Sequence, residues 1–401
     1  MRRKSIHNDR PIVQKSIKIE LPEGKLGLRL ALVIVLIALA VGSFALGINS
    51  VFSTEPGLAE ISALSGEMNA ASNFTFYYYL GYSETDATDE RRALRSLYTE
   101  AATDALTLFS AEIESGEGGL YYLSHHPNEE VLVDAALYSA LATLEESGTR
   151  YHYLAPLYEQ YRALASSGSD AEAAQYDPRL DAAQEEFVAR IAAFAADEDS
   201  VSLELLGESR VKLKVSEAYL AFTKENGIEA FLSLGWMENA FVADYLAGVL
   251  AGAGYTRGAL ISEDGFMRCL DTETGTEYTF DFTHREGNTV SSLAQLHFSG
   301  NVSLACLRDY PTAVSGAEGY YQYSDGSMRS PYLDTADGLD RCCAPELCAY
   351  SFDTGCADLA LALAPVFISD TLDIGALETL EIAGISVYYT SNGVLCTTAD
   401  A

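Results

Sequence analysis

Apolar side chains recur at helical spacing through the first two thirds of the chain. Leu94, Leu97, Ala101, Leu106, Leu108 and Ile113 fall near one face, with Thr88 and Asp89 placed to cap the start. A long amphipathic helix is therefore predicted over Thr88–Glu114, broken at Ser115–Gly119. Leu132, Ala136, Leu137, Ala140, Leu141 and Leu144 predict a second helix over Asn128–Glu146. A short helix follows at Ala155–Ala165 and a third long one at Pro178–Ala195, with further helices at Phe241–Ala253 and Ala357–Phe367. Ser166–Tyr176 reads as a polar, exposed loop. Strand-like runs stand at Phe76–Gly81, Val201–Leu206 and Arg210–Val215, then at Gly258–Ile261, Glu277–Phe282, Ser291–Phe298 and Asn301–Leu307. A terminal pair lies around Ile385–Tyr389 and Gly393–Cys396. Helices come first and an antiparallel-looking region second, which predicts an α+β fold with antiparallel sheets and flanking helices.

One segment belongs to neither pattern. Leu30–Ile48 is 19 residues long and apolar apart from Ser43 and two glycines, and no charge occurs from Leu30 to Thr54. That length suits a bilayer-spanning helix and exceeds an ordinary signal-peptide core. The 29 residues before it carry a net charge of +5, from eight basic and three acidic side chains. The expected order is a basic cytoplasmic tail (1–29), a transmembrane anchor (30–50), a juxtamembrane linker (51–75) and an extracytoplasmic domain (76–401).

The whole chain of 401 residues has a net charge of −33, so everything beyond the tail carries −38. This argues against nucleic acid as a partner, because the domain has little with which to displace phosphate counterions. It does not imply disorder, since 48% of the residues are hydrophobic and 10% aromatic. All seven cysteines lie in the last third. Outside the cytoplasm some can pair, and the odd count leaves at least one thiol over. No Cys-x-x-Cys occurs, and the spacing is poor for a tetrahedral zinc site.

Seven local patterns, in order, then become specific. LFSAEIESGEGGLYYLS at Leu108–Ser124 is similar to "LS.Y..DSELS.LN", and SGTRYHYLAPL at Ser147–Leu157 to "SGGAFDPTVGPL". GWMENAFVAD at Gly235–Asp244 falls on "GGIAKGYAVD" without a gap, and ALISEDGFMR at Ala259–Arg268 on "ALINAGGDIR". AVSG at Ala313–Gly316 matches "ATSG", SPYLDTADG at Ser330–Gly338 falls on "HHILDPRTG", and CADLALA at Cys356–Ala362 on "..ADALAT". From about Phe76 onward the chain resembles the FAD:protein FMN transferases, the ApbE-type flavin transferases.

The resemblance implies an ApbE-type fold and Mg²⁺-dependent transfer of FMN from FAD to a Thr or Ser of a target protein. A flavinylated extracytoplasmic protein is then the expected partner. It also implies cofactor contacts at Asn239, Asp244, Ser315, Gly316 and Asp334. Metal ligation is implied at Asp358, with Glu238 at the position of a main-chain carbonyl ligand. No residue is assigned a catalytic role. The departures are concentrated where phosphate and metal would sit. Asn239 replaces a Lys, Ala240 a Gly, Phe266 an acid, Pro331 a His and Ala362 a Thr. Taken alone, Asp358 equally suits a helix N-terminus, Asp244 a polar position near a helix start, and Ser315-Gly316 a turn. Three functions therefore stay open: a working transferase, a non-catalytic flavin- or partner-binding homologue, and an interaction protein without a nucleotide site.

Overall fold

The run Phe74–Leu80 buries Phe74, Phe76, Tyr78 and Leu80 and leaves the residues between them half-exposed, which is the two-residue period of a strand. The computed structural model places it within an eight-stranded antiparallel sheet and describes residues 55–399 except 67, 115, 272–275, 287–288, 313–318 and 392. The basic tail, the apolar span and Ser315-Gly316 lie outside the described residues. Among the described residues no helix is long and apolar enough to cross a membrane.

The strands are β1 (Gly57–Glu60), β2 (Phe74–Leu80), β3 (Glu130–Leu132), β4 (Val201–Gly207), β5 (Arg210–Val215), β6 (Gly258–Ser262), β7 (Phe266–Cys269) and β8 (Glu277–Glu286). They continue as β9 (Thr289–Ser299), β10 (Ser303–Arg308), β11 (Tyr321–Gln322), β12 (Met328–Arg329), β13 (Glu346–Ser351), β14 (Ser386–Ser391) and β15 (Val394–Thr397). The large sheet runs β1-β2-β6-β7-β10-β13-β14-β15; β3-β5-β4, β8-β9 and β11-β12 form smaller ones. Gly57–Glu60, expected within the linker, instead pairs with β2 as the sheet's edge, with Leu58 opposite Tyr79.

The large sheet is covered on both faces. On one, Leu260, Phe266, Leu307 and Leu347 join the core of the helices Ala87–Phe109, Glu238–Gly252 and Cys356–Phe367. On the other, Met267, Leu304, Cys306 and Cys348 lie under Tyr278, Phe280, Phe282 and Phe298 of the β8–β9 hairpin. Buried Ala240, Ala243 and Ala247 give the 238–252 helix a slim face against its neighbours. Cys306 and Cys348 are directly opposed on β10 and β13 and joined by a disulfide; the other five cysteines are free.

Several boundaries moved for local reasons. The second predicted helix begins at Ala135, not at Asn128, because Asp134 caps it and Glu130–Leu132 pairs with β5. The first ends at Phe109, where the Ser110 hydroxyl accepts from the N–H groups of Glu112 and Ile113 and turns the chain. Pro178–Ala195 becomes Ala182–Ala196, capped by Asp181. Within the expected exposed loop, Asp170–Ala173 forms a helical turn that buries Ala173 completely. The helices Glu217–Asn226 and Ile374–Ile382 and the strands β7 and β13 had no counterpart in the pattern.

Candidate functional site

A cleft of about 430 Å³ opens where the helical layer meets the β6–β7 end of the sheet. Its depth is set by glycine. Gly265 takes φ +116° in the β6–β7 turn, and a Cβ there would strike the Cys306 carbonyl. The Cys306 N–H donates to the Gly265 carbonyl at 2.9 Å and the Phe266 N–H to the Ser262 hydroxyl at 2.9 Å, so this turn fixes its neighbour Asp264. Across the cleft Gly235 has φ +52°, and a Cβ would come within 2.5 Å of the Tyr158 ring. The backbone thereby lies flat against that tyrosine before the 238–252 helix begins.

The walls are aromatic. Tyr158, Tyr161 and Tyr332 are buried, and Trp236 meets Tyr332 with ring centroids 5.2 Å apart. The Tyr320 hydroxyl donates to the Arg308 carbonyl at 3.0 Å. Burial pushes the hydroxyls of Tyr158, Tyr320 and Tyr332 up, so these walls stay uncharged at neutral pH. The charged groups are one-sided: Glu112, Glu238, Glu263 and Asp264 face a single Arg162, already ion-paired with Glu112. The described lining contains no Lys, His or Cys.

Asn239 and Glu238 both line this cleft, as does Pro331. The Asn239 amide donates to Asp264 Oδ2 at 2.8 Å, and its Oδ1 accepts from Asn73 at 3.3 Å. Asp264 is the residue sequence reasoning missed. Phe266 stands where the resemblance expects an acid, yet a carboxylate two positions earlier reaches the cleft; the Asp264-Gly265 turn pair is the signal the sequence offers for it. Burial raises its carboxyl above the usual range.

The other expected contacts lie elsewhere. Asp244 accepts from the Cys356 and Ala357 N–H groups at 2.9 Å each and has Arg268 Nε at 3.5 Å, so it caps the 356–367 helix. Asp334 closes its own loop: Oδ1 accepts from the Ala336 N–H at 2.9 Å and Oδ2 pairs with Arg341 at 3.2 Å. Neither lines the cleft. Ser315 and Gly316 are outside the described residues.

Mg²⁺ asks for several hard oxygens around one point. Asp358 stands exposed in the first turn of its helix, pushed up by desolvation and by the Glu146 carboxylate. One turn on, Ala362 offers no side-chain oxygen, and Asp244 is committed to the helix cap. Among the described residues no three Asp, Glu, His or Cys side chains converge on a metal-sized position. The described residues do not make a magnesium site of their own.

No protein-family model and no curated protein sequence matches the chain. Solved structures do. The ApbE protein of Thermotoga maritima matches with a TM-score of 0.59 at 14% identity, over 85% of this chain and 96% of that one. The flavin transferase ApbE of Vibrio cholerae gives 0.56 at 10% identity, over 86% and 97%. The apo flavinyl transferase ApbE of Pseudomonas stutzeri gives 0.52 at 10% identity, over 86% and 94%. With 94–97% of each of these three chains covered, the chain has the fold of the ApbE flavin transferases.

Proposed function

We propose that the chain is a membrane-anchored, extracytoplasmic module of ApbE-type fold whose cleft binds a ligand and in which FMN transfer is weak or lost. The observation that carries this is the Asn239–Asp264 hydrogen bond at the position where the resemblance expects a lysine. Phosphoryl transfer is mostly positioning and charge neutralisation. Here the lining holds four carboxylates against one paired arginine, the wrong sign for a pyrophosphate. Pro331 and Ala362 remove two further polar groups of the family pattern. Each such loss at a reacting phosphate costs about 10²–10³-fold in rate by analogy with a single oxyanion donor. Anchoring is supported by the span Leu30–Ile48 and the +5 tail before it.

Two preparations test the two halves. Full-length protein in non-ionic detergent, given FAD, Mg²⁺ and a Thr-bearing peptide, should release no AMP above the protein-free control. Protease added to spheroplasts should digest the domain. Stoichiometric AMP with flavin on the threonine overturns the loss of transfer, and a protease-protected domain overturns the topology.

A further inference from the structure

We infer that the outer face of the β1–β2 edge, built by Leu58, Tyr77, Tyr79 and Tyr82, docks on the head-group layer of the bilayer that carries the chain. This rests on the anchored topology proposed above and adds to it a lipid-contacting surface on the domain.

The face is one side of a sheet. Phe76 and Tyr78 of β2 point into the helical core, so Tyr77 and Tyr79 stand on the opposite side. Leu58 is opposite Tyr79 in register and therefore shares that side. Tyr82, just past the strand, meets Tyr79 edge-on with ring centroids 6.3 Å apart. Further along the same side, Tyr77 and Thr75 lie opposite Ala259 and Ile261 of β6. The apolar cluster beneath the β8–β9 hairpin takes in Ala259 and Ile261 but no described residue of β1 or β2. The hairpin's cover thus ends before the edge, and Leu58 is left 54% and Tyr82 62% exposed.

Exposed apolar side chains that stand singly need no explanation. Here they are contiguous, and their place in the chain says what covers them. Leu30–Ile48 ends nine residues before Gly57, the first residue of β1. Even fully extended, nine residues reach about 30 Å, so an anchored chain holds this edge near the membrane surface. Tethering makes docking intramolecular, and a weak attraction then suffices. Tyrosine is a side chain that settles at a bilayer interface, with its ring in the apolar boundary and its hydroxyl in water. The bordering charges have opposite signs: exposed Glu60 is opposite Tyr77, and the Arg257 guanidinium lies 4.9 Å from the Tyr82 ring centre. A zwitterionic surface suits them better than an anionic one.

Full-length Leu58→Trp and Tyr82→Trp variants, each placed singly in phosphatidylcholine nanodiscs with and without dibrominated acyl chains, test this. Both positions are more than half exposed, so the substitutions leave the core alone. Val394→Trp is the control. It sits on β15, seven strand spacings or about 34 Å across the sheet. The new tryptophans at 58 and 82 should be blue-shifted and quenched by the bromines, while the one at 394 and the native Trp236 should not. Adding Leu58→Glu to Tyr82→Trp should remove the quench, since a carboxylate then enters the face. Insertion into the discs with no more quenching at 58 and 82 than at 394 overturns the inference and leaves the anchor standing. Failure to co-elute with the discs overturns the anchor and the inference together. Self-association in detergent that Leu58→Glu abolishes, with no bromine quenching, gives the face to a second copy and also overturns the inference.

Discussion

Asp244 shows how a residue can occupy a motif position and do other work. It sits on the 238–252 helix and reaches the first N–H groups of the 356–367 helix, whose N-cap, Gly355, has no side chain to serve them. A Cβ on Gly355 would lie 2.6 Å from Asp244 Oδ2, so the close approach needs glycine there. Replacing this cap should be expensive. Asp244→Ala is expected to lower unfolding free energy by about 1–3 kcal/mol, and Asp244→Asn by less, because one acceptor remains. Urea titrations measure the difference, while ligand binding in the cleft should be unchanged, since Asp244 does not line it. Loss of ligand binding with unaltered stability would return Asp244 to the cleft. Sequence gave the position of this carboxylate but not its direction, which is set by a helix more than a hundred residues away. Asp264 is the converse: its side chain does reach the cleft, but a motif register that expected the acid at 266 passed over it.

At the scale of elements, what could be read was what alternates. The long helices and β2, β4, β5, β8 and β9 show one apolar face, and their periodicity placed them. β13 buries Glu346, Leu347, Cys348, Ala349 and Ser351 together, covered by helices on one side and the hairpin on the other, so no polar face marks it as a strand. β7 is too short, at 4 residues, to declare a period. The buried charge on β13 has a visible purpose. Glu346 pairs with Arg308 of β10 at 2.8 Å, and its other oxygen accepts from the Thr283 N–H and hydroxyl of β8, each at 2.8 Å. One carboxylate thus ties the hairpin to the sheet it covers. Removing it leaves a buried guanidinium unpaired, and Glu346→Ala should cost about 3–5 kcal/mol. The double variant Arg308→Leu/Glu346→Leu should lose less than the single, since no charge is then stranded. Equal losses in urea unfolding would mean that the pair itself, not the stranded charge, carries the stability.

For the whole molecule the dominant quantity is charge. A chain at −33 repels itself when folded, and the part beyond the tail, at −38, repels itself more. Exposed charges are screened over about 10 Å at 0.1 M salt, so adding NaCl to a low-salt buffer should raise the melting temperature. Acid should act in the same direction over a defined window. Burial, opposed by Arg285, lifts the Asp309 carboxyl from 3.8 to about 6, and burial also raises those of Asp264 and Asp340. A carboxyl raised in the folded state binds its proton more tightly there than in the unfolded chain. Its stabilising contribution is complete below the unfolded value and is lost as pH rises through the folded one. Going from about pH 7.5 down to about 5.5 should therefore stabilise the protein. Below about pH 4 the trend should reverse, because Asp86 and Asp170 have carboxyls held low by hydrogen bonds from Thr88 and Ser324, and those bonds fail on protonation. Asp309→Asn should be more stable than wild type at pH 7.5 and should flatten part of the rise toward pH 5.5. Melting curves across this range, at low and at added salt, decide it: a melting temperature that falls between pH 7.5 and 5.5 would show that the buried carboxyls do not set the stability of this fold, and one that ignores NaCl would show the same of self-repulsion.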